Sequence, residues 1–136
     1  MTLKEKIVIA GSSKLQDKVN YWVEYFKNND YDVLDYPKPI YKEQFIKLYP
    51  NIHKEFFKNI TKTDVLFIMN EDKNNIKGYI GAETYAELTF GLAQNLLYDK
   101  KIELIVLKMP SNEVQCYDEI KLWLELGWIK LYDEII

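Results

Sequence analysis

Residues 78–88 read GYIGAETYAEL and set two carboxylates, Glu83 and Glu87, four positions apart behind Gly78 and Gly81. On a helix that spacing puts both acids on one face, with Cβ atoms roughly 5–6 Å apart. Glu83 falls in the first turn, where the helix dipole favours an anion. Glu87 is flanked by Ala86 and Leu88 and followed by Phe90, Gly91 and Ala93, a neighbourhood that packs. A buried glutamate needs a partner or a purpose, because an uncompensated charge is costly away from water. One such purpose is covalent catalysis at a sugar anomeric carbon, where a carboxylate attacks and a second group manages the leaving-group proton.

A second chemical segment is Gly11-Ser12-Ser13, directly before a helical stretch. Its backbone N–H groups and hydroxyls suit an anion or a sugar oxygen, and a serine there suits the N-cap of the helix equally well. The segment is neither GxGxxG nor a GxxxxGK[ST] phosphate loop. His53 is the one histidine, in NIHKEFF, and reads as a helix-surface residue with no nucleophile elbow near it. Cys116 is the one cysteine, so an intrachain disulfide is impossible, a cysteine zinc site is disfavoured, and the thiol reads as packing. Of the 11 tyrosines, some fill the core and some suit a cleft for a flat ligand. Trp123 and Trp128 read as packing for the last helix or as a dimer contact.

The chain that must position these residues has 136 residues, 48% hydrophobic and 29% charged, which fits a single globular domain over 1–136. A net charge of -3 without any basic run argues against a nucleic-acid polymer as partner. The opening MTLKEKIVIAGSS is too short and lacks the cleavage pattern of a signal peptide, and no window is long enough to span a membrane. The expected setting is the reducing cytoplasm.

KIVIA (6–10), YDVLD (31–35), DVLFIMN (64–70) and IELIVLK (102–108) read as strands, the third as a central one, and GWIKLYDEI as an added edge strand. Helical spacing covers 14–29, 41–61 with an interruption near Pro50, 82–98 and 112–126. The resulting β-α-β-α-β-α-β-α-β order predicts an open three-layer α/β sandwich on a mostly parallel five-stranded sheet. Ligands of such sheets bind beyond the carboxyl ends of the strands, at the switch in strand order. Segments 11–13 and 70–81 and the Pro37/Pro39 turn fall there.

The combination KIVIAGSS, TDVLFIMNEDKNNIKGYIGAETYAELTFGLA and KKIELIVL resembles the nucleoside 2-deoxyribosyltransferase superfamily, which also holds deoxynucleoside-monophosphate N-glycosidases. The likeness runs over about residues 5–109, is strongest over 64–93, and is closest to a bacterial branch. It implies a flavodoxin-like (Rossmann-like) fold and an enzyme that cleaves or exchanges the N-glycosidic bond of 2′-deoxynucleosides. Glu87 matches the family nucleophile, and Gly11 and Ser12 match a turn that approaches the sugar or its 5′-phosphate. On this resemblance Ser13 joins that turn, Glu83 or Asp72 assists the leaving base with a proton, Asn70 orients the substrate, and Tyr79 and Tyr85 stack on the base or bond to the sugar. Gly81 stands where transferases of the family usually carry a substrate-binding aspartate, Thr89 where glycine is common, and Glu83 where related chains have asparagine. The small-molecule partner is a nucleoside or nucleotide, with no metal or organic cofactor, in a homo-oligomer that the C-terminal KLYDEII could help to build. The alternatives are a 2′-deoxynucleoside 5′-monophosphate N-hydrolase and a non-catalytic nucleotide-binding domain. The chain has no arginine, which tilts the expectation towards unphosphorylated nucleosides.

Overall fold

The structure is a computed structural model and describes residues 3–134. The chain runs β1 (Glu5–Ala10), α1 (Gln16–Asn28), β2 (Tyr31–Asp35), α2 (Phe45–Lys62), β3 (Val65–Ile68), α3 (Ala82–Tyr98), β4 (Glu103–Val106), α4 (Tyr117–Glu125) and β5 (Lys130–Leu131). Single 3-10 turns at Lys42–Gln44 and Tyr132–Glu134 precede α2 and follow β5. The five strands form one sheet in the order β2-β1-β3-β4-β5, and every pair is parallel. That is the flavodoxin-like arrangement, with the switch between β1 and β3.

Alternation along the strands divides the core in two. β1 and β3 pair with Ile7 opposite Val65 and Ala10 opposite Ile68. Ile7, Ile9, Val65 and Phe67 therefore face α1, where Val19, Trp22, Val23 and Phe26 pack on them. Val8, Ala10, Leu66 and Ile68 face the other way, under Phe56 and Ile60 of α2, Leu88 and Leu92 of α3 and Ile120 of α4. The strands carry apolar residues on both faces because both are covered.

α3 rests on the sheet at Gly91, where a Cβ would stand 2.9 Å from Leu66 Cδ2 and 3.0 Å from Leu104 Cδ2 and would have to displace those buried side-chain ends. Glu87 is one turn earlier on the same face and is carried inward with it.

Two expectations about helices change. α2 runs unbroken through Pro50, near its start. The turn that lacks the proline N–H lies against solvent, with Ile46 85% exposed, so the freed carbonyl can be hydrated. The last helix begins at Tyr117 rather than 112. Residues 111–116 are held as turns instead, with Ser111 Oγ accepting from Glu113 N at 3.1 Å and Ser111 O accepting from Val114 N at 3.0 Å. Residues 135–136 of the KLYDEII segment lie outside the described residues. No helix among the described residues is long and apolar enough to cross a membrane.

Candidate functional site

At the carboxyl ends of β1, β2 and β3 the loops part around a cleft of about 280 Å³. Four segments wall it: Gly11–Lys14 after β1, Tyr36–Ile40 after β2, one face of α2, and the segment that runs through Lys73 and Tyr79 into the start of α3. Glu87 lines it from within.

The first wall depends on Gly11. A Cβ there would meet Met69 O at 2.9 Å, so a side chain would push apart the two loops that bound the switch point. The serines do not cap α1: its N-cap is Leu15, without a side-chain cap hydrogen bond. Ser12 Oγ instead accepts from Lys73 Nζ at 2.9 Å and from Lys14 N at 3.3 Å. Ser13 faces the same cleft. Lys38, from the wall after β2, is anchored to the buried Asp35 at 3.1 Å. Asp35 also accepts from Tyr36 N and Asn59 Nδ2, both at 2.9 Å. Lys14, Lys38 and Lys73 thus line the cleft together with hydroxyl and backbone groups.

Two glutamates line it as well. Glu87 is 6% exposed and opens into the cleft. Burial, then the charges of Glu83 and Asp35, push its carboxyl up to about 8. Glu83 sits in the first turn of α3 with its side chain 56% exposed, and its Oε1 lies 3.6 Å from His53 Nδ1. His53, Glu83 and Glu87 bring one nitrogen and two carboxylate oxygens within 4.8 Å of one another. The donor types would suit a divalent cation; they would equally suit an acid–base pair beside a nucleophile.

His53 corrects the sequence reading. It is no surface residue: it stacks on Tyr49 with ring centroids 5.0 Å apart and meets the Phe57 ring at 4.3 Å. Phe45, Tyr49, His53 and Phe57 recur every fourth residue, and Phe57 reaches Phe90 of α3 at 4.7 Å. That i, i+4 aromatic row was visible in the sequence and is the signal that would have turned His53 inward.

Gly11, Ser12, Ser13, Tyr79, Gly81, Glu83 and Glu87 all line the cleft. Gly81 is the extended N-cap of α3, next to the Tyr79 ring, and Lys73 Nζ lies 5.0 Å from the centre of that ring. Three expected site residues lie elsewhere. Asn70 is buried as a clamp, donating through Nδ2 to Gly78 O at 3.2 Å and Lys108 O at 2.7 Å and accepting from Lys108 N at 3.3 Å. Asp72 Oδ1 accepts from Gly78 N at 2.9 Å and Lys108 Nζ at 3.2 Å. Those bonds, the Gly78 N–H foremost, hold its carboxyl below the usual range. Tyr85 stacks on Trp123 of α4 at 5.6 Å, because it is two residues from Glu83 and from Glu87, a turn of about 200° away from their face of the helix.

No protein-family model matches this chain, and no curated protein matches it.

Proposed function

We propose that the cleft takes a 2′-deoxynucleoside or its 5′-monophosphate and that Glu87 attacks C1′ to break the N-glycosidic bond. The observation that carries this reading is the carboxylate of Glu87, buried yet open to the cleft, with two groups able to hold a proton within 4.8 Å. Glu87 would act as the nucleophile that forms a covalent glycosyl-enzyme. Water or a second base would then release the sugar, giving hydrolysis or transfer.

An acid held up to about 8 by its surroundings is largely protonated at neutral pH, and only its ionised form is a nucleophile. Positive charge developing at C1′ favours the carboxylate just as it is needed, so burial strengthens the attraction in the transition state.

A specific contact favours the phosphorylated substrate. Lys73 Nζ on Ser12 Oγ, with Lys14 and Lys38 also lining the cleft, supplies the cations that the lack of arginine denies. The monophosphate is therefore the preferred substrate in this reading. It belongs in the cytoplasm, without a resident cofactor, and extends to a homo-oligomer, for which the exposed Tyr41 and Ile46 beside the cleft are candidate contacts.

The test is incubation with each 2′-deoxynucleoside and its 5′-monophosphate, with and without a free acceptor base, followed by chromatography. Base release or exchange by the wild type, lost by on the order of 10³-fold or more in Glu87→Ala, is expected. Binding of a monophosphate with every substrate left intact would replace the enzyme by a nucleotide-binding domain.

A further inference from the structure

α2 delivers the one histidine of the chain into the cleft and restrains it on both sides. Its ring lies nearly parallel to Tyr49, 14° apart, and inclined by 63° to Phe57. Its side chain is 25% exposed, against 56% for Glu83. Glu83 Oε1 lies 3.6 Å from Nδ1, so the imidazole has a carboxylate neighbour beside one nitrogen, which favours a proton on the ring there.

A base leaving C1′ gathers negative charge on its ring nitrogens and needs a proton. Tyr49 also borders the cleft, but burial and the charges of Glu83 and Glu87 push its phenol further up, so it holds its proton more tightly. Histidine as a residue type takes up and releases protons around neutrality. The geometry points to His53 as the proton donor to the departing base, with Glu83 as the positioning residue that steadies its imidazole; this rests on the reading of Glu87 as the glycosyl acceptor.

A Glu87 oxygen forms a bond to C1′ while the C1′–N bond breaks, and that bonding pair remains on the base. The imidazolium N–H of His53 passes its proton to the base, which leaves neutral, and the neutral imidazole stays beside a glycosyl ester. In the second half the imidazole takes a proton from the attacking water or incoming base. The new bond to C1′ forms and Glu87 departs as a carboxylate.

The experiment compares two substrates in the wild type and in His53→Phe, which keeps an aromatic ring in the Tyr49–Phe57 column but holds no proton. One substrate is 2′-deoxyguanosine 5′-monophosphate. The other is its N7-methyl derivative, whose cationic base departs neutral without being protonated. The wild type should cleave both. His53→Phe should slow the unmethylated substrate by about 10²–10⁴-fold and the methylated one by at least about thirty-fold less. Glu83→Gln should lower kcat on the unmethylated substrate more than it raises KM, and should have no further effect once His53 is replaced. Equal losses on the two substrates, or none on either, would overturn the assignment. So would a wild type that cleaves only the methylated substrate. A wild type that leaves every 2′-deoxynucleoside and every 5′-monophosphate intact overturns the Glu87 reading and this one with it. A circular dichroism melt checks that His53→Phe is folded, and His53→Gln carries the same comparison if it is not.

Discussion

Lys73 Nζ lies 2.9 Å from Ser12 Oγ and ties the loop after β3 to the loop after β1 across the switch point of the sheet. The two residues are 61 positions apart. Neither makes a cation–hydroxyl site alone; the parallel pairing of β1 with β3 brings them together.

Replacing that ammonium should separate the two substrate forms. Lys73→Met is expected to raise KM for a 2′-deoxynucleoside 5′-monophosphate by about 10–100-fold, the usual worth of a hydrogen bond to a charged group. The unphosphorylated nucleoside should change far less. Steady-state kinetics on the pair decides it, and equal changes would remove Lys73 from phosphate recognition.

Glu87 should cost the fold stability at alkaline pH. Its folded-state pKa is raised to about 8 from an ordinary 4.5, so the folded chain holds this proton more tightly than the unfolded one. The favourable contribution is complete below about 4.5 and is lost as pH rises towards 8. Glu87→Gln removes the titration, so the variant should be the more stable at pH 9, by an amount on the order of a few kcal/mol. Melting curves from pH 5 to 9 that stay parallel for the two proteins would contradict the buried, unpaired carboxyl.

The same group should set an ascending limb in the rate. On the N7-methyl substrate, whose base leaves without a proton, attack requires only the carboxylate, so kcat/KM should climb with pH and level off above about 8. A profile with the limb at an ordinary carboxylate value would argue that Glu87 is not the group that must ionise.

Asn70 should act on the fold rather than on the substrate. Asn70→Ala removes its bonds to Gly78 and Lys108 and leaves buried polar groups unpaired, at a cost of about 1–3 kcal/mol. The expected reading is a melting temperature lower by roughly 3–10 °C. An unchanged melting temperature together with a raised KM would return Asn70 to the substrate.

Much of this architecture can be read along the chain. DVLFIMN is apolar on both alternating faces, so it has to lie between two helical layers, and β3 does. GYIGAETYAEL fixes the start of α3 and the shared face of Glu83 and Glu87, because a four-residue spacing is a local property of a helix. Asn70, Asp72 and Tyr85 were misplaced for one reason: the sequence puts them beside the cleft, but side-chain direction is decided by non-local partners. Lys108 and Trp123 pull them away, and both lie far along the chain.

By itself, then, the sequence determined the parallel α/β class, the end of the sheet where ligands collect, and a carboxylate that is hard to explain as surface. Periodicity and helical spacing are local, and they reach that far. Only the tertiary structure decided what surrounds that carboxylate. α3 rests on β3 and β4 at Gly91, and Glu87 is buried one turn earlier. The packing of α2 beside α3 sets His53 against Glu83, and the β1–β3 pairing sets Lys73 against Ser12. A charge is tuned by whatever stands within a few ångströms of it, and those neighbours are chosen by packing between elements distant in the chain.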